Sequence, residues 1–321
     1  MLLVLALLAY LAAFKYLPRL VQAVIAGDFV VQLAVPLGAS YYTFKLCHYV
    51  IESRRGTITD RSLSRFLCWL FLFPAFVAGP IERFDHFLDN LEQRWSLQST
   101  ADGLTRIAHG LVKKLVLADV LVAELMTGLT PADVVGSLSN LSAWQLWAAA
   151  VLWYLDLYLE FAGYTDIAIG ASRLFGIRIM ENFSWPILAA NIGDFWRRWH
   201  MTLAGWCQSY VYLPLIGATR NPYIAAYATF LVMGLWHAAS AQWILWGLYH
   251  ATGVVIYRVW SRTRTRIGLE PRGSWPGRAL AVVLTQLFVA GAGVFSGLRG
   301  VAGVSTSFRL LCKMLFIELP G

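Results

Sequence analysis

The stretch Tyr223-Ile-Ala-Ala-Tyr-Ala-Thr-Phe-Leu-Val-Met-Gly-Leu-Trp236-His237-Ala-Ala-Ser-Ala241 decides how this chain is read. It is apolar and about as long as a bilayer crossing needs, and it contains a histidine. Burying an ionisable side chain at membrane depth is costly, so such a residue marks a candidate functional site. Imidazole is also the side chain best suited to moving protons near neutral pH. An apolar setting favours the neutral ring, which can accept a proton. Gly234, Ala238, Ala239 and Ser240 give His237 a small-residue side that admits another helix or a substrate. The plainer alternative is a buried histidine that hydrogen-bonds a neighbouring helix.

Composition supports the membrane reading. The 321 residues are 58% hydrophobic and 14% charged, with a mean hydropathy of +0.59. Soluble domains carry about 25% charged residues. The net charge of +8 gathers in short loops, a cytoplasmic charge excess rather than the one-sided basic face of a nucleic-acid binder. Arg258 to Arg278, with Arg262, Arg264, Arg266 and Arg272 between, reads as a cytoplasmic loop; Arg54, Arg55, Arg61 and Arg65 form a second basic loop. Cys47, Cys68, Cys207 and Cys312 are scattered and read as free thiols, with no disulfide framework or thiol metal site. The run Met1 to Tyr16 lacks a basic start and a small-residue cleavage site, so a retained first helix is expected.

Spanning helices are expected over 1–20, 29–51, 144–172, 222–238, 241–260 and 279–297, with weaker candidates at 63–80, 104–127 and 304–319. That gives eight to ten, some tilted or incomplete. Residues 82–102 are polar and form an exposed connection. In 63–80, Pro74 and Gly79-Pro80 interrupt the apolar run, and basic residues flank both sides. A segment entering and leaving on one side fits this pattern. Irregular backbone survives at membrane depth only inside protein or beside a water-filled cavity, so an enclosed cavity is expected. Ile192 to Trp206 reads as one amphipathic helix in the interface plane, with Ile192, Phe195, Trp196, Trp199, Leu203 and Trp206 on one face.

His200 borders that apolar stripe, where it either faces headgroups or lines the cavity, positioning an acyl group or relaying a proton. Arg197 and Arg198 suit phospholipid headgroups or an anionic donor such as a coenzyme A phosphate. Asp156, Glu160 and Asp166 lie in one apolar segment and are expected to face inward and pair with arginines; a proton pathway is the sharper alternative. His48, His86, His109 and His250 show no metal-ligand spacing, and no zinc motif occurs. GxSxG, P-loop and dinucleotide fingerprints are also missing.

Several runs occur together in order: Val35-Pro-Leu-Gly-Ala-Ser-Tyr-Tyr-Thr-Phe44, Phe76-Val-Ala-Gly-Pro-Ile-Glu-Arg-Phe84, Phe161-Ala-Gly-Tyr-Thr-Asp-Ile-Ala-Ile-Gly170, Glu181-Asn-Phe183, Asp194-Phe-Trp-Arg-Arg-Trp-His200 and Met233-Gly-Leu-Trp-His237. Over residues 35–260 this resembles the membrane-bound O-acyltransferase family, in particular its bacterial branch that acylates cell-envelope polymers. The resemblance implies an all-α polytopic membrane protein: a ring of tilted helices around a central funnel, with re-entrant and interfacial helices, forming a single integral-membrane domain over 1–321. It implies that His237 is catalytic and His200 the second functional position. The chain departs from the family's pattern in having 34 residues before Val35, where members usually carry several helices. Ala238 also stands where glycine is common, and Glu160 where Asp is.

The function expected is transfer of an acyl group, most simply acetyl, from a cytoplasmic thioester such as acetyl-CoA or an acyl carrier. The acceptor is a hydroxyl of an extracytoplasmic polysaccharide, reached through a secreted or membrane-anchored acyltransferase partner. His237 acts as general base, with no metal and no tightly bound cofactor. Arg197 and Arg198 contact the donor or headgroups. The protein lies among the lipids of the bacterial inner membrane as a multi-pass protein and binds no nucleic acid. The alternatives are D-alanyl transfer to teichoic acid, or a transporter or scaffold without chemistry.

Overall fold

The computed structural model describes residues 2–24, 38–76, 79–91, 96–269 and 274–317, and for 17–24 the backbone alone. Val35 to Leu37, Val77, Ala78 and Arg272 of the stretches above lie outside the described residues, as do positions 29–34 of one expected span. Every regular element among the described residues is helical. In order they are α1 (Leu2–Val24), α2 (Ala39–Arg55), α3 (Leu63–Leu70), α4 (Phe84–Asp89), α5 (Leu97–Leu111), α6 (Ala123–Leu125), α7 (Pro131–Gly136), α8 (Ala143–Leu174), α9 (Ile192–Trp196), α10 (Met201–Cys207), α11 (Leu213–Thr219), α12 (Pro222–His237), α13 (Ala241–Arg266), α14 (Trp275–Gly297) and α15 (Val304–Met314). A π-wound stretch, Val112–Val122, carries α5 into α6. Within it Lys114 meets Asp119, five residues on, at 2.7 Å, a spacing that suits π winding.

The expected spans over 144–172, 241–260 and 279–297 coincide with α8, α13 and α14. By length and composition, α14 is the one helix among the described residues long and apolar enough to cross a bilayer alone, against the eight to ten expected. Residues 63–80 do not form a straight helix. α3 ends after eight residues, and a 3-10 turn at Phe73–Ala75 contains Pro74. The proline ring and its missing N–H explain the interruption. The last expected span, 304–319, shortens to eleven residues. The basic loop is also corrected: Arg258, Arg262, Arg264 and Arg266 belong to α13 and Arg278 to α14. Arginine is a good helix former, so the polar run extends the helix instead of ending it.

The chain divides into two compact units, residues 1–112 with 161–182, and residues 113–160 with 183–321. In the first, Trp69, Phe84, Phe87, Leu70, Ile58, Ile169 and Ile179 form a buried core. Lys45 of α2 is buried beside it and donates to the Trp69 carbonyl at 2.7 Å. Glu82 has a fully buried side chain; its Oε2 accepts from the Met180 N–H at 2.7 Å, and its Oε1 pairs with His86. α5 crosses the second half of α8 through glycines: a Cβ at Gly110 would lie 2.5 Å from the Gly163 carbonyl oxygen. Helices gain little from hydrophobic exclusion within lipid, so such close backbone packing is how they adhere. Asp166 of α8 pairs with Arg106 of α5 at 2.6 Å, and Arg106 also reaches Glu181 at 2.5 Å.

In the second unit Glu160 pairs with Lys114. The acidic series was expected to meet arginines; it meets one arginine and one lysine, and Asp156 forms no ion pair among the described residues. Trp153 donates its indole N–H to Leu129 at 2.8 Å, Tyr154 donates to Gln286 at 3.0 Å, and Lys313 donates to Leu138 at 2.7 Å. Trp147 donates to the Met314 carbonyl at 3.0 Å, so α8 is bonded to both α14 and α15.

Candidate active site

The site is built on the α12–α13 hairpin. Asn221 starts α12 by accepting from Tyr223 N–H at 2.9 Å and Ile224 N–H at 3.2 Å, with Pro222 in the first turn. α12 and α13 run antiparallel at backbone contact. A Cβ on Gly234 would sit 2.3 Å from the Trp243 carbonyl oxygen, and one on Gly247 would sit 2.5 Å from that of Phe230. No side chain fits at either point, so both positions need glycine. Ala238 turns fully extended and ends α12, and Ser240 caps α13 by accepting from Trp243 N–H. His237 is therefore the last residue of its helix. The sequence placed it within a continuous apolar stretch; the structure places it at the lip of a tight turn.

That position gives His237 a ring-lined seat. It stacks on Trp243 with centroids 4.1 Å apart and planes at 11°. Trp236 lies 4.7 Å away and Trp246 5.6 Å away, both presenting edges. His237 itself is half-buried, so its ring remains reachable.

The region carrying His200 differs from expectation. Ile192 to Trp206 is not one helix but two: α9 ends at Trp196 and α10 begins at Met201. His200 sits at the break in the left-handed region, φ 42° and ψ 52°, where non-glycine residues are uncommon. The reason lies in its polar neighbours. Asp194 draws Arg198 Nε to 3.0 Å and Arg197 to 3.6 Å. Arg198 also donates to the Ser184 carbonyl at 3.1 Å and accepts from the Ser184 N–H at 2.9 Å. These bonds hold a turn where periodicity alone predicts helix. Nor does the stripe face lipid or headgroups: Phe195, Trp199, Leu203, Trp206 and His200 are all buried, His200 to 3% exposure. Trp199 stacks on Phe195 at 5.5 Å and meets Phe183 edge-on at 5.2 Å.

Trp236 connects the two histidines. Its ring lies 6.2 Å from His200 and 4.7 Å from His237, so the structure gathers both expected residues about one indole. The two arginines separate in role. Arg198 is committed to Asp194 and Ser184, whereas the Arg197 side chain is 72% exposed and open to a headgroup or an anionic ligand.

His250, singled out in the sequence only for lacking metal-ligand spacing, joins the same ring cluster through Trp246. It is 2% exposed on α13, 4.6 Å from Trp246, 5.1 Å from Trp196 and stacked on Phe230 at 6.1 Å. Its Nδ1 has no hydrogen-bond partner among the described residues. A signal existed, since Trp243, Trp246 and His250 fall three and four residues apart, on one helix face; a search for metal spacing passes over it. Among the described residues no three His, Cys, Asp or Glu side chains are grouped to hold a metal ion.

Comparison with known proteins places the chain in a family. The protein named "Probable alginate O-acetylase AlgI" in Pseudomonas aeruginosa is 36% identical over 70% of this chain and 43% of its own length. The teichoic acid D-alanyltransferase of Bacillus subtilis is 31% identical over 81% of this chain and 68% of its own. The peptidoglycan O-acetyltransferase of Helicobacter pylori is 33% identical over 71% of this chain and 48% of its own. The chain thus spans about half the length of the alginate relatives it matches. The family model for membrane-bound O-acyltransferases matches residues 5–290, which include both histidines, the Trp236 indole and the α12–α13 hairpin: the chain belongs to the membrane-bound O-acyltransferase family.

Proposed function

We propose that this protein is a multi-pass O-acyltransferase of the bacterial inner membrane, with its helices ringed about a central funnel. It moves an acyl group, most simply acetyl, from a cytoplasmic thioester to a hydroxyl of an extracytoplasmic polysaccharide or of a secreted or membrane-anchored partner. The observation that carries this reading is the placement of half-buried His237 at a helix end, stacked on Trp243, with buried His200 across the Trp236 ring.

In this reading the His237 imidazole takes the proton of the accepting hydroxyl as its oxygen attacks the thioester carbonyl. The C–O bond forms and the C–S bond breaks. The proton passes from the imidazolium to the departing thiolate, leaving an ester and a thiol. The tryptophan rings fix the imidazole plane and keep bulk water from competing for the acyl carbon. His200 holds the acyl group or relays the proton. Arg197 contacts headgroups or the donor from the surface.

D-alanyl transfer is the second reading, favoured by one observation: the Bacillus subtilis D-alanyltransferase matches more of both chains than the alginate relative does.

The test is His237→Ala expressed in cells lacking the native protein. Membrane yield should stay normal while envelope acylation falls by roughly 10²- to 10⁴-fold, the usual contribution of a general base. Acylation retained at the native level would sink the assignment.

A further inference from the structure

The last turns of α13 carry Arg258, Arg262, Arg264 and Arg266 within nine residues. Among the described residues no carboxylate pairs with any of them. Tyrosines hold two of them in place. Arg258 donates to the Tyr212 hydroxyl and lies 5.1 Å over that ring. Arg262 donates to the Tyr223 hydroxyl at 3.2 Å, 5.9 Å from its ring. A phenol orients a guanidinium without neutralising it. The two arginines are four residues apart on one helix face, each held by its own tyrosine, and two guanidiniums so placed suit a phosphate.

The cluster stands at a defined distance from the site. Tyr223 and His237 lie fourteen positions apart on α12, about 21 Å along the axis and on nearly the same face. A phosphopantetheine arm extends about as far as five or six extended residues, roughly 17–20 Å. A donor whose phosphate rests at one end of the hairpin can present its thioester near the other.

We propose that the Arg258–Arg262 pair binds the phosphate of a phosphopantetheine thioester whose acyl carbon is delivered to His237. This rests on the acyl-transfer reading above. It also adds, at the end of α13, a donor contact separate from Arg197 and Arg198, the two expected from the sequence. Short arginine-rich segments lie on the cytoplasmic side, where such thioesters are made.

The experiment measures binding of phosphopantetheine and of pantetheine to the full chain in phosphatidylcholine nanodiscs. The wild type should bind the phosphorylated arm roughly tenfold more tightly, with a preference that weakens as salt rises. The double variant Arg258→Ala with Arg262→Ala should lose the preference. Arg258→Lys with Arg262→Lys, which keeps both charges, should retain part of it. His237→Ala should leave it unchanged. Equal binding of the two arms by the wild type overturns the proposal, and that measurement needs no variant to fold. A preference that vanishes when phosphatidylglycerol is added names a lipid headgroup as the occupant and also overturns it. Phosphate-dependent binding without any acyl transfer would sustain this site while sinking the acyltransferase reading. Transfer without phosphate preference would do the reverse.

Discussion

Asp166 and His237 both belong to largely apolar helices, yet their surroundings are opposite. Asp166 is buried against Arg106, which Glu181 also holds, and Glu82 nearby is enclosed by His86 and the Met180 N–H. His237 is surrounded by Trp236, Trp243 and Trp246, and His250 by Trp196, Trp246 and Phe230. In a low dielectric, a charge matched by its counter-charge is costly to separate and resists change. An imidazole walled by indoles is held in its orientation by ring contacts instead of by a counter-charge at the ring's edge. The first arrangement fixes structure; the second suits chemistry.

The largest effect expected tests the first half of that contrast. Asp166→Ala leaves Arg106 short of one carboxylate in a partly buried site. It should cost about 2–3 kcal/mol, below the roughly 3–5 kcal/mol of breaking a fully buried pair because Arg106 is 30% exposed. His237→Ala should stay within about 1 kcal/mol of the native protein, as a half-buried site without a clash implies. Thermal unfolding in detergent micelles compares them, and equal losses would erase the distinction.

A smaller effect sharpens the second half. His200 occupies a left-handed backbone position, which asparagine tolerates and alanine does not. His200→Asn should therefore keep near-native stability and His200→Ala should lose about 1 kcal/mol. Both should transfer acyl groups roughly 10²-fold more slowly. Native turnover in His200→Asn would mark His200 as a backbone device alone.

The smallest effect is a pH dependence at the Glu82–His86 pair. The hydrogen bond to Glu82 raises the pKa of His86. A raised histidine stabilises the fold in its protonated form. That stability is fully present below the unfolded pKa of about 6.5 and lost as pH rises through the higher folded value. With the His86 side chain 37% exposed, the contribution is at most about 1 kcal/mol. Unfolding followed from pH 5 to 9 should show the decline in the native protein and a flatter profile in His86→Gln. A native profile already flat over that range would remove His86 from the structural set.

Much of the scaffold was legible because it follows from composition. α8, α13 and α14 are long apolar runs, and Pro74 announced the interruption after α3. His237 was legible because an ionisable residue in such a run is conspicuous. The break at His200 was not, since the apolar spacing of Phe195, Trp199, Leu203 and Trp206 continues through it. Only the bonds from Asp194 and Ser184 to Arg198 reveal the turn. α13 outran its expected end because arginines signal topology and helix propensity at once. The meeting of His200 and Trp236 depends on tertiary packing, which local periodicity does not encode.

The π-wound stretch Val112–Val122 bears on how the gene can vary in length. A helix hydrogen-bonded five residues apart holds a surplus residue that one bonded four apart does not. Deleting one codon between Lys114 and Asp119 would let the segment rewind as an ordinary helix with its ends nearly where they were. The same deletion in α8 or α13 would rotate every residue beyond it by about 100° and carry its buried face outward. Of α5, α8 and α13, only the continuation of α5 can lose a residue by rewinding in this way.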